Sequence, residues 1–395
     1  MAGRYTGKMQ TSESSVIVIH SDHYLLTVIT SNRSSQSPTI MTKMPVQNKT
    51  KSDKSSAEQR RLQMADIARL AGVSTSTVSR ALNRSSLVND ETRIRIEELA
   101  RSLNYSINIG AQNLRLKQNR TVAVVVPYDV ATRQHLSDPF FLSMLGSLAD
   151  ALTDRGFDML LSRVDAEQLD SAAQIYDTGR VLGVILIGQW RHHDQLNQLA
   201  ARRVPIVVWG AQLPQQLYVT VGSDNVTGGF LAAEHLISTG RKQIAFFGDT
   251  QLPEVAHRYE GYCKALAHYG VALDERLVVS ASFIEEGGRL AVEELLRRNL
   301  PFDALFACSD LLAMTAINTL RDKQYRVPQD IAVVGYDDIE LARYFHPPLT
   351  TIRQPMAAAG QALVEAVLSL AEQQPTSPRL LQTQLIRRAS SVFDT

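Results

Sequence analysis

From Met64 to Leu103 the apolar positions recur at helical spacing: Ile67, Ala68 and Ala71, then Val78, Ala81 and Leu82, then Ile94, Ile96, Leu99 and Leu103. Beyond Arg120 the pattern changes. Short apolar runs alternate with amphipathic stretches of helix length, at Thr121–Pro127, Phe157–Ser162, Gly183–Gly188, Pro205–Trp209, Gln243–Gly248, Ala304–Cys308 and Ile331–Tyr336. Runs of Val, Ile, Leu and Phe this short predict parallel strands buried on both faces. Strand followed by helix, repeated this often, predicts an α/β doubly wound core of roughly 270 residues, too large for one ordinary sheet and suited to two lobes. Ligands of such sheets bind beyond the carboxyl ends of the strands, so two facing lobes would enclose one in a cleft. Residues 1–62 are rich in Ser, Thr, Lys and Gln, lack sustained periodicity and read as a disordered extension. Met44 and Met64 stand as alternative starting points.

Charge sharpens this division. Over the chain 41 Lys+Arg nearly cancel 40 Asp+Glu, but residues 1–120 hold 18 against 9 and the remainder 23 against 31. A basic front half suits a polyanionic partner, and a merely solvated tail would look the same. The two cysteines, Cys263 and Cys308, sit in apolar runs without a CxxC partner or nearby His cluster. Neither a disulfide framework nor a metal site is expected, and a reducing cytoplasm is the natural setting. No apolar stretch approaches the ~20 residues of a membrane span. The run Val16–Ile29 is broken by His20, Ser21, Asp22 and His23 and lacks the layout of a signal peptide. No GxSxG elbow, GxxxxGK loop or GxGxxG opens a helix, so neither an enzyme nor a bound cofactor is expected.

The segment Met64–Leu82 reads MADIARLAGVSTSTVSRAL. Its first helix should end near Ala71, with Gly72 taking a left-handed turn and Ser74 capping the second helix. Two helices joined by a tight Gly-containing turn form the DNA-binding helix-turn-helix. The second helix offers Thr75, Ser76, Ser79 and Arg80 away from Val78 and Leu82. Hydroxyls suit any base edge in the major groove, and the Arg80 fork suits guanine.

In DIARLAGVSTSTVSRALN, continuing through Asn104–Tyr105 and NIGAQNLRL (Asn108–Leu116), the sequence resembles the LacI/GalR family of bacterial regulators. The resemblance runs from about Met64 to the C-terminus. It implies a helix-turn-helix domain at 63–107, a hinge at 108–119 that orders on operator DNA, and a two-lobed core of the type I periplasmic-binding-protein kind at 120–391. Lobe 1 would hold about 120–222 and 354–381, lobe 2 about 223–353 and 382–391. Leu114 falls where the family wedges a leucine into the minor groove, although a contact with its dimer mate would serve as well. Asn83, Thr92 and Asn108 join the implied DNA-contacting set. The sequence departs from the family at Ile107, where proline usually precedes the asparagine.

Four further strings carry the resemblance through the core: SDNVTGGFLAAEHLISTGRKQIAFFG, RYEGYCKAL, SDLLAMTAINTL and IAVVGYDDIELARYFHPPLTTIRQP. They imply effector-binding roles for Arg258, for Asp337 at the strand end in VVGYDD, for Phe283 near the family's stacking tryptophan, for Gln354 after the TTI strand, and for Asp138 and Phe140 in DPFF. Ser309 replaces the usual asparagine of an ND pair, and Asp310 behind it would support the site from the rear. Each has an ordinary alternative. Arg258 could pair with Glu254 or Glu260, Phe283 could be core, Asp337 could cap the next helix, and Trp190 and Trp209 could stack on a ligand or simply pack.

The function implied is that of a cytoplasmic, nucleoid-associated repressor. It would bind double-stranded operator DNA as a homodimer, since no apolar heptads follow the core, and respond to a small-molecule effector. A sugar inducer of a carbohydrate operon fits Arg258, Asp337 and one aromatic face; a purine-type corepressor is the alternative.

Overall fold

The computed structural model describes residues 63–82, 85–103, 105, 119–128, 134–284 and 286–392. The expected extension at 1–62 and the hinge residues 108–118 lie outside these. The chain divides into an N-terminal unit ending at Leu103 and a larger unit from Asn104 onward.

In the N-terminal unit α1 (Met64–Ala71), α2 (Thr75–Leu82) and α3 (Asp90–Ser102) pack around Ile67, Val78, Ala81 and Ile96, all essentially without solvent exposure. Each helix start has a local cause. Gln63 and Asp66 form a reciprocal capping box on α1, Ser74 Oγ accepts from the Thr77 N–H at 3.1 Å, and Asn89 accepts from the Thr92 N–H at 2.8 Å. Gly72 ends α1 at φ 66°, left-handed as the turn requires. The periodic reading erred at Ile94, which is 52% exposed; Val88 and Ala100 fill the core instead. Ile94 lies two residues from Ile96, and positions two apart on a helix do not share a face.

The larger unit contains two six-stranded sheets. The first, in spatial order β11-β5-β4-β3-β1-β2, is built from β1 (Thr121–Tyr128), β2 (Asp158–Asp165), β3 (Gly183–Ile187), β4 (Ile206–Trp209), β5 (Val219–Ser223) and β11 (Arg379–Leu381). The second, in order β12-β10-β9-β8-β6-β7, is built from β6 (Ile244–Phe247), β7 (Val278–Val279), β8 (Ala304–Ala307), β9 (Ala332–Asp337), β10 (Thr350–Arg353) and β12 (Gln384–Ile386). Every pairing is parallel except β10 with β12.

Alternation along the strands explains why helices cover both faces of the first sheet. Val122, Val124 and Val126 of β1 pack with the helices Pro139–Thr153 and Met356–Ala371, whereas Ala123 and Val125 pack with Asp170–Asp177 and His193–Ala201. The chain passes between lobes three times: after Ser223, after Arg353 and after Leu381. The first and third passages are bonded side by side, Asp224 N–H to the Leu381 carbonyl at 2.8 Å and Thr383 Oγ1 to the Asp224 carbonyl at 3.2 Å.

Candidate functional site

On α2, Thr75, Ser76 and Arg80 are exposed and Ser79 is half-buried, while Val78 and Ala81 face the core. Short hydroxyls thus stand at the N-terminal end of an exposed helical face with a guanidinium at its other end, the layout of a helix that enters the major groove. Thr92 lies in the first turn of α3, its side chain half-buried. Asn83, Asn108 and Leu114 lie outside the described residues.

In the core a cleft opens between the lobes. Lobe 1 contributes Asp138, Phe140, Trp190 and Trp209, and lobe 2 contributes Glu254, Arg258, Phe283, Ser309 and Asp337. Local structure fixes most of these side chains. Asp138 caps the helix Pro139–Thr153, accepting from the Phe140 N–H at 2.9 Å, and also accepts from Gln134 at 3.3 Å. Burial raises its carboxyl above the ordinary range. Ser309 caps the helix Asp310–Asp322 through the Leu312 N–H.

Arg258 is only 6% exposed. Its Nε donates to Asn225 Oδ1 at 2.8 Å, its Nη1 donates to the Cys308 carbonyl, and the guanidinium lies 3.8 Å from the centre of the Tyr336 ring. Two of its five N–H groups therefore hold the side chain in place. Glu260 pairs instead with Lys264, at 2.6 Å. The approach of two helices allows this arrangement. A Cβ on Gly229 would lie 2.0 Å from the Arg258 carbonyl, and one on Gly261 2.0 Å from the Val226 carbonyl. Only glycine admits backbones this close, and the contact sets Arg258 against Asn225.

Asp337 ends β9 at φ 121°, a left-handed conformation costly for a residue with a Cβ. Its Oδ1 accepts from Gln354 Nε2 at 2.7 Å. The short helix after it, Glu340–Arg343, starts without a side-chain cap. Burial lifts the Asp337 carboxyl well above the usual range; Arg258 opposes the shift and Asp138 adds to it. Gln354 does not line the cleft. It lines a neighbouring hollow with Ser143 and Met356 and reaches the cleft only through Asp337. Asp310, wholly buried, accepts from the Ile339 N–H at 2.9 Å and from the Thr351 hydroxyl, and so braces the turn after Asp337.

Glu254 also lines the cleft, and sequence reasoning considered it only as a partner for Arg258. Its signal was positional: it lies one turn before Arg258 on the same helix. Trp190 and Trp209 are both in the lining, Trp190 with φ 50°. Among the described residues no cluster of metal-ligating side chains occurs, and no helix is long and apolar enough to cross a membrane.

A helix-turn-helix unit joined to a two-lobed, cleft-bearing core defines a ligand-responsive DNA-binding regulator. Residues 63–108 match the model of bacterial regulatory proteins of the lacI family, and residues 233–391 match a periplasmic binding protein-like domain. The ribose operon repressor of Haemophilus influenzae is 33% identical over 77% of this chain and 90% of its own length. A structure described as a complex of the transcriptional regulator CelR with cellobiose is 32% identical, covering 84% of this chain and 100% of that one, with TM-score 0.63. The lac repressor dimer bound to operator and the anti-inducer ONPF is 26% identical, covering 85% and 100%, with TM-score 0.76. The chain belongs to the LacI/GalR family of bacterial transcriptional regulators.

Proposed function

We propose that this protein is a cytoplasmic repressor, without catalytic activity, that holds operator DNA as a homodimer and releases it when a sugar occupies the cleft. The carrying observation is the pairing of wall chemistries. Arg258 and the carboxyls of Asp138, Glu254 and Asp337 offer hydrogen-bond partners for vicinal hydroxyls, and Phe140, Phe283, Trp190 and Trp209 offer rings for the C–H face of a pyranose. The ribose and cellobiose named for relatives support the same class of ligand. Thr75, Ser76, Ser79 and Arg80, with Asn83, Thr92, Asn108 and Leu114, form the proposed DNA-contacting set. Asp138, Phe140, Arg258, Phe283, Ser309 and Asp337 form the effector set, and Gln354 positions Asp337.

A ligand changes the balance between DNA-bound and free states only through its different affinity for them. A sugar gripped by both walls would favour one lobe orientation, and through it one arrangement of the hinges of the dimer. A second reading, a purine corepressor that strengthens DNA binding, draws support from aromatic rings on both walls, since a planar base stacks on two faces. The excess of acceptors over donors favours the sugar.

A thermal-shift panel of sugars and purine bases tests both. A true effector at 100 times its Kd stabilises by about 2.7 kcal/mol. The best hit is then added to an operator band-shift. Release by a sugar supports the repressor with inducer, strengthening by a purine supports the second reading, and stabilisation by neither class refutes both.

A further inference from the structure

Given the reading of the cleft as a sugar site, we propose that it takes an uncharged polyhydroxy ligand and rejects the phosphate ester of the same sugar, with Glu254 as the specificity-determining residue. Two independent features support this. The first is charge: among the described residues lining the cleft, Asp138, Glu254 and Asp337 are acidic and Arg258 is the one Lys or Arg. Arg258 is already held by Asn225, the Cys308 carbonyl and the Tyr336 ring. A phosphate ester would bring nearly two negative charges into a cleft whose one described cation is already engaged.

The second feature is the state of the helix starts. An anion can be held without lysine or arginine by the free N–H groups of a helix N-terminus. Three helices begin at the cleft, and at each the protein's own side chains stand in the first turn. Asp138 caps Pro139–Thr153 and Ser309 caps Asp310–Asp322. The third, Pro253–His268, opens with a proline, which has no N–H, followed by Glu254. A carboxylate placed at the dipole's positive end fills the position a phosphate would need.

Glu254 stands on a lobe 2 helix and lines the cleft together with Trp190 and Trp209 of lobe 1. Hydroxyl groups meet carboxyl oxygens well, and the shortage of free cationic donors that disfavours a phosphate leaves a neutral polyol unaffected.

The test is titration calorimetry on the full chain with matched pairs: pentoses, hexoses and β-linked disaccharides, each with its terminal phosphate ester. Two unit charges about 6 Å apart at an effective dielectric of ~20 interact by the equivalent of about a hundredfold in affinity, so the sugar that binds should exceed its ester by that order. Glu254→Gln should narrow the gap about tenfold, and Glu254→Asp, which keeps the charge, should preserve most of it. A phosphate ester that binds as tightly as its parent sugar overturns the proposal and leaves the sugar reading standing. A gap unchanged in Glu254→Gln overturns the role of Glu254. Binding of purine bases with no polyol bound overturns the sugar reading itself.

Discussion

Arg191 and Asp249 meet from opposite lobes, guanidinium Nη2 2.6 Å from carboxylate Oδ2. Arg191 follows β3 and Asp249 follows β6, and both line a hollow shared with Trp190 and Phe283 of the cleft. The lobes are thus joined by a direct charge contact beside the ligand space. Arg191 is 55% exposed, so the pair contributes only ~0.2–1 kcal/mol. Arg191→Ala should weaken effector affinity about two- to fivefold in low salt, with the deficit shrinking as salt screens the pair. Calorimetric titration at two ionic strengths checks this, and equal affinities of variant and wild type in low salt would refute it.

Arg80→Ala should weaken discrimination of the operator by about 5- to 150-fold while leaving the core able to bind its effector. A bidentate contact to a base is worth ~1–3 kcal/mol, and Arg80 carries the planar donor fork on the exposed face of α2. A competition band-shift against random duplex reads the loss. Retention of the wild-type preference would show that other residues read the site.

Acidification should weaken effector binding through Asp337. Burial first, then the nearby charge of Asp138, raises its carboxyl, so on falling pH it takes up a proton while an ordinary aspartate is still ionised. The neutral acid is a poorer acceptor for a hydroxyl. The sign for stability is opposite. A group whose folded value is raised contributes stability below its unfolded value of 3.8, and that contribution is lost as pH rises through the folded value. The ionised site therefore strains the empty protein and the effector relieves it. Glu254 and Asp310 are raised by burial too, so the measurement is a difference: affinity against pH for wild type minus that for Asp337→Asn. Parallel curves would remove Asp337 from the site.

Gly261→Ala should cost ~1–3 kcal/mol through overpacking and lower effector affinity as well. The added methyl would overlap the Val226 carbonyl and push apart the helices that carry Asn225 and Arg258. Thermal denaturation and effector titration on one preparation test both effects. Loss of stability without loss of affinity would separate the glycine contact from the placement of Arg258.

The repeat of apolar runs made the doubly wound core legible, because inner strands buried on both faces have no polar alternation to obscure them. The run Phe157–Ser162 departs from this, since the edge strand β2 is half-buried to exposed along most of its length. The shorter strands at the sheet edges, β7, β11 and β12, gave no such signal: two or three residues do not establish a period. β5, Val219–Ser223, was masked by its glycine and polar positions. Residues joined by backbone geometry were visible in outline, as Gly72 and Ser74 were. What sequence could not reveal was which neighbour a polar side chain selects. Gln354 reaches Asp337 across 17 positions, and Glu254 turns to the cleft instead of forming the ion pair its spacing allows. Such choices depend on burial and on the facing lobe.

The three passages between lobes have a consequence for how the chain is made. The first lobe lacks the helix Met356–Ala371 and β11 until residues 356–381 have been synthesised, and the second lacks β12 until a few residues later. Neither core can close while most of the chain is still emerging from the ribosome, so Leu363, Val364 and Val367 leave their apolar partners on β1 and β3 uncovered until late. A premature stop between Leu103 and Leu381 would deprive both lobes at once, leaving a helix-turn-helix unit with no complete sensor to govern it.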